Sequence, residues 1–330
     1  MTPETPSRRP RTPADLVVGV LGGDRRAVAR TISLLEDRVP AAAEVIRELW
    51  PHTGSAITIG LTGPPGVGKS TLSSALVALV RSRDETVGVI SVDPTSPFTQ
   101  GALLGDRIRL AEHFLDPGVY IRSMGTRGHL GGVAEATFLA MRVLDAAGKD
   151  VVLIETVGVG QSEIEVASVV DTVVLVLQPG SGDSVQALKA GVMEIPDVIC
   201  VNKRDHPEAQ SMRAELRHAL SLTPHEQRPL VVETNARTGE GVADLWAAIA
   251  DQRAALGADG IAARRRSSLE RELLTVATAR AASRIAETLA QDPEVVATLA
   301  GLADRAVDPL TAVDRLYEAA FRDSSGRRTK

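Results

Sequence analysis

Aromatic side chains are scarce in this sequence, with four Phe, two Trp and two Tyr among 330 residues. A core must therefore come mostly from Ala, Val, Leu and Ile, and platforms for stacking single-stranded nucleic acid are few. There is one cysteine, Cys200, inside the apolar run DVIC. No internal disulfide can form, and a buried thiol in a reducing, cytoplasmic setting is expected. The six histidines are scattered and form no Cys/His group of the kind that holds structural zinc. A basic excess is absent too: the formal net charge is −5, which argues against a nucleic-acid partner. No apolar run reaches the roughly 18 residues of a membrane span. The arginines of MTPETPSRRPRTP are followed by ADLVVGVLGGDRRA, where charge returns before a signal-like apolar region is complete.

What is present is periodicity. Residues 1–13 read as a disordered Pro/Arg tail, and 14–54 as a helical N-terminal extension. In that extension ADLVVGVL stops at Gly22-Gly23, Asp24 can cap the next helix, and Pro40 opens a third. Across 55–256, short apolar runs (AITIGLTG, TVGVISVD, VYIRSM, DVVLIE, TVVLVLQ, DVICVN, PLVVET) alternate with amphipathic stretches. Runs apolar on both faces between helices predict an α/β fold with a mostly parallel sheet flanked by helices. Beyond about residue 256 no strand pattern recurs. Residues 257–323 are helical, including RRRSSLERELLTVATARAASRIAETLA and helices starting near Pro293 and Asp308, and 324–330 form a polar tail. The triplet Arg264 to Arg266 reads as a solvated helix start. The apolar stripe of the long helix needs a cover, which hairpin packing or a second copy would each supply.

GPPGVGKST fits G-x-x-x-x-G-K-[ST] and stands between a predicted strand and a predicted helix. Gly63, Pro64, Pro65, Gly66, Val67 and Gly68 would turn successive amides toward phosphate oxygens, with Lys69 on the β/γ oxygens, Ser70 on Mg²⁺ and Thr71 in the helix N-terminus. Glu155 ends the strand VVLI on the edge facing the phosphates, where a carboxylate reaches Mg²⁺ directly or through water. Gly158 would offer its N–H to the γ-phosphate. Further along, Asn202-Lys203-x-Asp205 closes one strand and Asn235-Ala236-Arg237 follows another. Asn202 can tie the two loops, the Lys203 stem can lie along a purine, and Asp205 can accept from guanine N1–H and its amino group. Adenine offers neither donor, and two charge-assisted bonds at about 1.5–3 kcal/mol each would disfavour it by about 10²–10⁴. The expected nucleotides are GTP and GDP.

These elements, together with SVDPTSPFTQGALLGDRIRL, RSMGTRGHLGG and ETVGVGQSE, resemble the MeaB/ArgK-type GTPases (MMAA-like) that accompany methylmalonyl-CoA mutase, over roughly residues 14–325. The resemblance implies a P-loop GTPase domain, a C-terminal helical dimerisation segment and a homodimer. It also implies a cobalamin-dependent acyl-CoA mutase as partner, whose adenosylcobalamin loading is gated and which is protected from inactivation. Methylmalonyl-CoA and isobutyryl-CoA mutases stay open as clients. No D-x-H-x-x-G element is present, so tightly bound cobalamin is not expected in this chain. Asp93 and Asp106 would be switch carboxylates near Mg²⁺, or else a turn carboxylate and a helix N-cap. In residues 178–191, Asp183 and Lys189 would be charged members of a mobile switch, or of an ordinary loop entering a helix. Arg127 and His129, in GTRGHLGG, are candidates for phosphate or partner contact, or solvated loop charges.

In many nucleotide-hydrolysing switches a glutamine after carboxylate-x-x-Gly orients the attacking water. Here Val159 holds that place and Gln161 lies two residues on, so the chain alone is expected to hydrolyse slowly until a partner completes the site. Three other functions compete. A nickel-delivery GTPase would need Cys or His ligands, a phosphotransferase linked to amino-acid transport would need an acceptor site and a lid, and a GTP-sensing scaffold would hydrolyse negligibly.

Overall fold

The computed structural model describes residues 12–93, 110–125, 132–156, 169–181, 196–221, 224 and 228–322. Three helices come first: α1 (Pro13–Leu21), α2 (Arg25–Glu36) and α3 (Pro40–Leu49). Local chemistry starts each of them. Thr12 and Asp15 form a reciprocal capping box around Pro13, the Asp24 carboxylate accepts from the Arg26 amide, and Pro40 occupies the first turn of α3.

All seven predicted strands are present: β1 (Ile57–Thr62), β2 (Val87–Asp93), β3 (Val119–Gly125), β4 (Val151–Thr156), β5 (Thr172–Leu177), β6 (Val198–Val201) and β7 (Leu230–Glu233). They form one sheet in the order β3-β2-β4-β1-β5-β6-β7, and every pairing is parallel. All residues of β4 and β5 are buried, as strands covered on both faces must be. Alternation divides β4 between two cores. Val152 and Ile154 join α1–α3 and α5 (Gly132–Ala146), whereas Val151 and Leu153 join α4 (Lys69–Arg81) on the opposite face. Leu175, Leu177, Ile199 and Val201 pack under α6 (Ala209–Ser221).

From β7 the chain enters α7 (Val242–Gln291), which is interrupted by non-helical Gly257, and then α8 (Pro293–Ala303) and α9 (Pro309–Ala320), capped by Asp292 and Asp308. One expectation changes here. The arginine triplet lies early in the helical segment that follows Gly257, but two of its arginines are half-buried in ion pairs rather than simply solvated. Arg264 forms a two-pronged pair with Asp197 at 2.7 and 2.8 Å. Arg265 donates to both Asp171 oxygens at 2.7 Å and to the Ala56 carbonyl at 2.8 Å. Asp171 and Asp197 immediately precede β5 and β6, so a cationic helix face tethers the sheet edge opposite the phosphate loop. Among the described residues no helix is long and apolar enough to cross a membrane.

Candidate nucleotide site

Strand order decides what meets the phosphate loop. β1 is flanked by β4 and β5, so the loop leaving β1 sits between their C-terminal ends. The register places Leu61 opposite Glu155, two positions before Gly63. Gly63 lies so close to β5 that a Cβ would stand 2.1 Å from the Val176 carbonyl oxygen, so only glycine fits. Gly68, left-handed at φ 95°, ends the loop as the N-cap of α4.

Lys69 is 6% exposed and donates to the Gly63 and Pro64 carbonyls at 2.6 and 2.9 Å, which holds its ammonium against the loop backbone. Glu155 is 1% exposed, accepting from Ser70 Oγ at 2.5 Å and Ser73 Oγ at 3.0 Å. A hydroxyl and a carboxylate in contact at the loop form the hard, oxygen-only donor set that Mg²⁺ takes when phosphate and water complete its octahedron. Ser70 and Glu155 therefore fit that ion. Ser73 went unnoticed in the sequence, although its place three residues after Ser70 puts it on the same helix face.

The loops after β6 and β7, the candidate base loops, converge through Asn202, which is 2% exposed. Its Nδ2 donates to the Val67 carbonyl at 2.8 Å, and its Oδ1 accepts from the Ala236 amide at 3.0 Å and Thr234 Oγ1 at 3.2 Å. One amide thus joins the phosphate loop to both base loops. Lys203, held at φ 58°, reaches the Gly66 carbonyl with Nζ at 3.0 Å, so its stem spans the space between loops. Asp205 accepts from Asn235 Nδ2 at 3.0 Å, and Asn235 Oδ1 accepts from the Arg237 amide at 3.1 Å. Together Gly68, Thr71, Asn202, Lys203, Asp205, His206, Asn235, Ala236 and Arg237 line a cavity of about 310 Å³. Below it, Cys200 Sγ lies 3.2 Å from Thr234 Oγ1. Burial, partly offset by that hydroxyl, pushes the thiol up to about 12. Thr234 and His206 escaped the sequence reading, since neither belongs to a motif, although each adjoins one.

Asp93 is the last residue of β2, paired in register with Gly125 of β3. Asp106, Arg127, His129, Gly158, Val159, Gln161, Asp183 and Lys189 lie outside the described residues. Among the described residues no group of three or more His, Cys, Asp or Glu side chains could hold a metal ion.

Comparison with known proteins bears on the family and the fold. The family described as Methylmalonyl Co-A mutase-associated GTPase MeaB matches residues 28–290. A Pyrococcus abyssi protein whose name reads GTPase is 45% identical over 92% of this chain and 95% of its own length. GTPase ArgK of Escherichia coli is 37% identical over 72% of this chain and 75% of its own. The mouse Methylmalonic aciduria type A homolog, mitochondrial, is 36% identical over 70% of this chain and 60% of its own. A solved structure described as LAO/AO transport system kinase superposes with a TM-score of 0.67 at 26% identity, covering 93% of this chain and 96% of the other. The parallel sheet with its phosphate loop and the family match together lead to one conclusion: this chain belongs to the MeaB family of methylmalonyl-CoA mutase-associated GTPases.

Proposed function

We propose that this GTPase serves as a checkpoint for a cobalamin-dependent acyl-CoA mutase, with methylmalonyl-CoA mutase the favoured client, gating adenosylcobalamin loading and protecting the mutase from inactivation. The reading draws on the family description and the mouse relative's name. For the nucleotide, the carrying observation is the three-way tie at Asn202, which sets Lys203 and Asp205 around a cavity continuous with Gly68 and Thr71. In this reading Gly63, Pro64, Pro65, Gly66, Val67 and Gly68 present amides to the phosphates, and Lys69 moves from the loop carbonyls to the β/γ oxygens. Asp205 reads guanine, with Asn235, Ala236 and Arg237 closing the base side. Mg²⁺ would be held by Ser70 and Glu155, with Asp93 and Asp106 as further carboxylates, and would neutralise charge on the phosphates. Gly158 supplies an amide to the γ-phosphate.

Phosphoryl transfer depends mainly on positioning and electrostatics, so no protein base is required. With Val159 unable to orient water, turnover is slow until the mutase completes the site, and Arg127, Asp183 and Lys189 are the switch residues we assign to that step. A group supplied in trans changes turnover by about 10³–10⁵. The segment 257–323 supports a homodimer: Leu273, Leu274, Leu310, Val313 and Tyr317 are large apolar side chains left exposed on α7 and α9. The test is GTP turnover with and without saturating mutase, tracing the released phosphate. Stimulation with phosphate in water supports the proposal. Equal rates refute the checkpoint, and phosphate on a small molecule favours a phosphotransferase.

A further inference from the structure

We infer that His206 is a positioning residue that joins occupation of the base cavity to the turn leaving β5. This rests on the guanine-nucleotide reading above. His206 lines the cavity beside Asp205. Its amide donates to the Lys203 carbonyl at 2.9 Å, and its Nδ1 accepts from the Glu208 amide at 3.2 Å. The ring is therefore held in one orientation, and in the neutral form the proton sits on Nε2.

The same ring crowds Gly180. A Cβ on Gly180 would stand 2.9 Å from His206 Cε1, 3.4 Å from Nε2 and 3.2 Å from Glu208 Oε2, and Gly180 is left-handed at φ +72°. Gly180 lies just past the end of β5, whose Val176 carbonyl packs against Gly63 of the phosphate loop. The end of β5 thus touches the phosphate loop through Val176 and, just beyond the strand, the base loop through His206. A purine in the cavity restricts the ring from one side, and the ring restricts the turn on the other. Base recognition and phosphate recognition share one strand end, and His206 is the link on the base side.

Hydrogen exchange at the Gly180 and Ser181 amides of the full chain, with Mg²⁺, tests this. The additions compared are none, saturating GDP, and saturating pyrophosphate, which fills a phosphate site without a base. GDP should slow exchange at these amides by about tenfold in the wild type, and pyrophosphate should not. At saturating GDP, His206→Ala should lose that slowing, and His206→Gln, whose amide nitrogen can stand where Nε2 stands, should keep it. Gly180→Ala should reproduce the loss from the other side of the contact. Equal slowing in His206→Ala, or equal slowing by pyrophosphate, overturns the role of His206. Failure of GDP to bind the wild type overturns the guanine reading itself, and this inference with it.

Discussion

Replacing Asn202 by alanine should separate two quantities that the site combines. The substitution removes the donor to the Val67 carbonyl and the acceptor for the Ala236 amide, while Thr234 Oγ1 keeps its contact with Cys200. Two buried backbone groups lose a partner at about 1–3 kcal/mol each, so the total loss is about 2–6 kcal/mol. Part of it appears as lower stability of the free protein. The rest appears as weaker nucleotide binding, because the phosphate and base loops are no longer held in one frame. Urea unfolding with and without GDP distinguishes the parts. At a GDP concentration of about 1,000 times the wild-type Kd, ligand should add about 4.1 kcal/mol to the wild type. If the variant binds about 100-fold more weakly, the same GDP adds only about 1.4 kcal/mol. Asn202→Asp refines the test, since a carboxylate still accepts from Ala236 but cannot donate to Val67. It should lose affinity as well, with repulsion between two oxygens at the phosphate loop. If both variants gain as much from GDP as the wild type does, the idea that Asn202 joins the loops is wrong.

Three other outcomes follow from the geometry. Gly63→Ala forces a methyl against the Val176 carbonyl, backbone against backbone, so GDP affinity measured by calorimetry should fall at least about 100-fold, with lower thermal stability. Arg265→Met should cost about 3 kcal/mol in urea unfolding near neutral pH, at the low end for a broken buried pair because Arg253 and the Thr58 amide still serve Asp171. Burial raises the Asp171 pKa, but Arg265, Thr58 and Arg253 together outweigh it and leave it below the ordinary carboxylate value. Its contribution is therefore complete above the unfolded pKa, near 3.9, and fades as pH falls through the lower folded value, so the gap between wild type and variant should narrow below about pH 4. Cys200 should resist a disulfide reagent at pH 8, where about 10⁻⁴ of the thiol is ionised, and labelling should follow unfolding in urea; rapid stoichiometric labelling of the native chain would contradict its burial.

The seven strands were legible because each is a short run of β-branched and aliphatic residues bounded by turn chemistry, a property of neighbours in the chain. The cap at Asp24 and the helix starts near Pro293 and Asp308 were legible for the same reason. The site's parts, GPPGVGKST, Glu155 and Asn202-Lys203-x-Asp205, could be named from spacing, since backbone amides on phosphate demand glycines at set intervals. What spacing could not supply is who meets whom. Arg264 and Arg265 look like surface charge in a helical pattern, and their carboxylates lie 67 and 94 residues away in sequence. Ser73 on Glu155, Thr234 under Asn202 and His206 against Gly180 likewise depend on which strand lies beside which.

By itself, then, the sequence determined the element types, the phosphate loop and the candidate base-reading motif, because these rest on local backbone geometry and side-chain class. The tertiary structure alone decided the strand order and the arginine clamp on Asp171 and Asp197, and it gave Asn202, whose tying role the sequence had suggested, its partners Val67, Thr234 and Ala236. Those are long-range encounters, which depend on the apolar cores on the two faces of the sheet holding distant segments together.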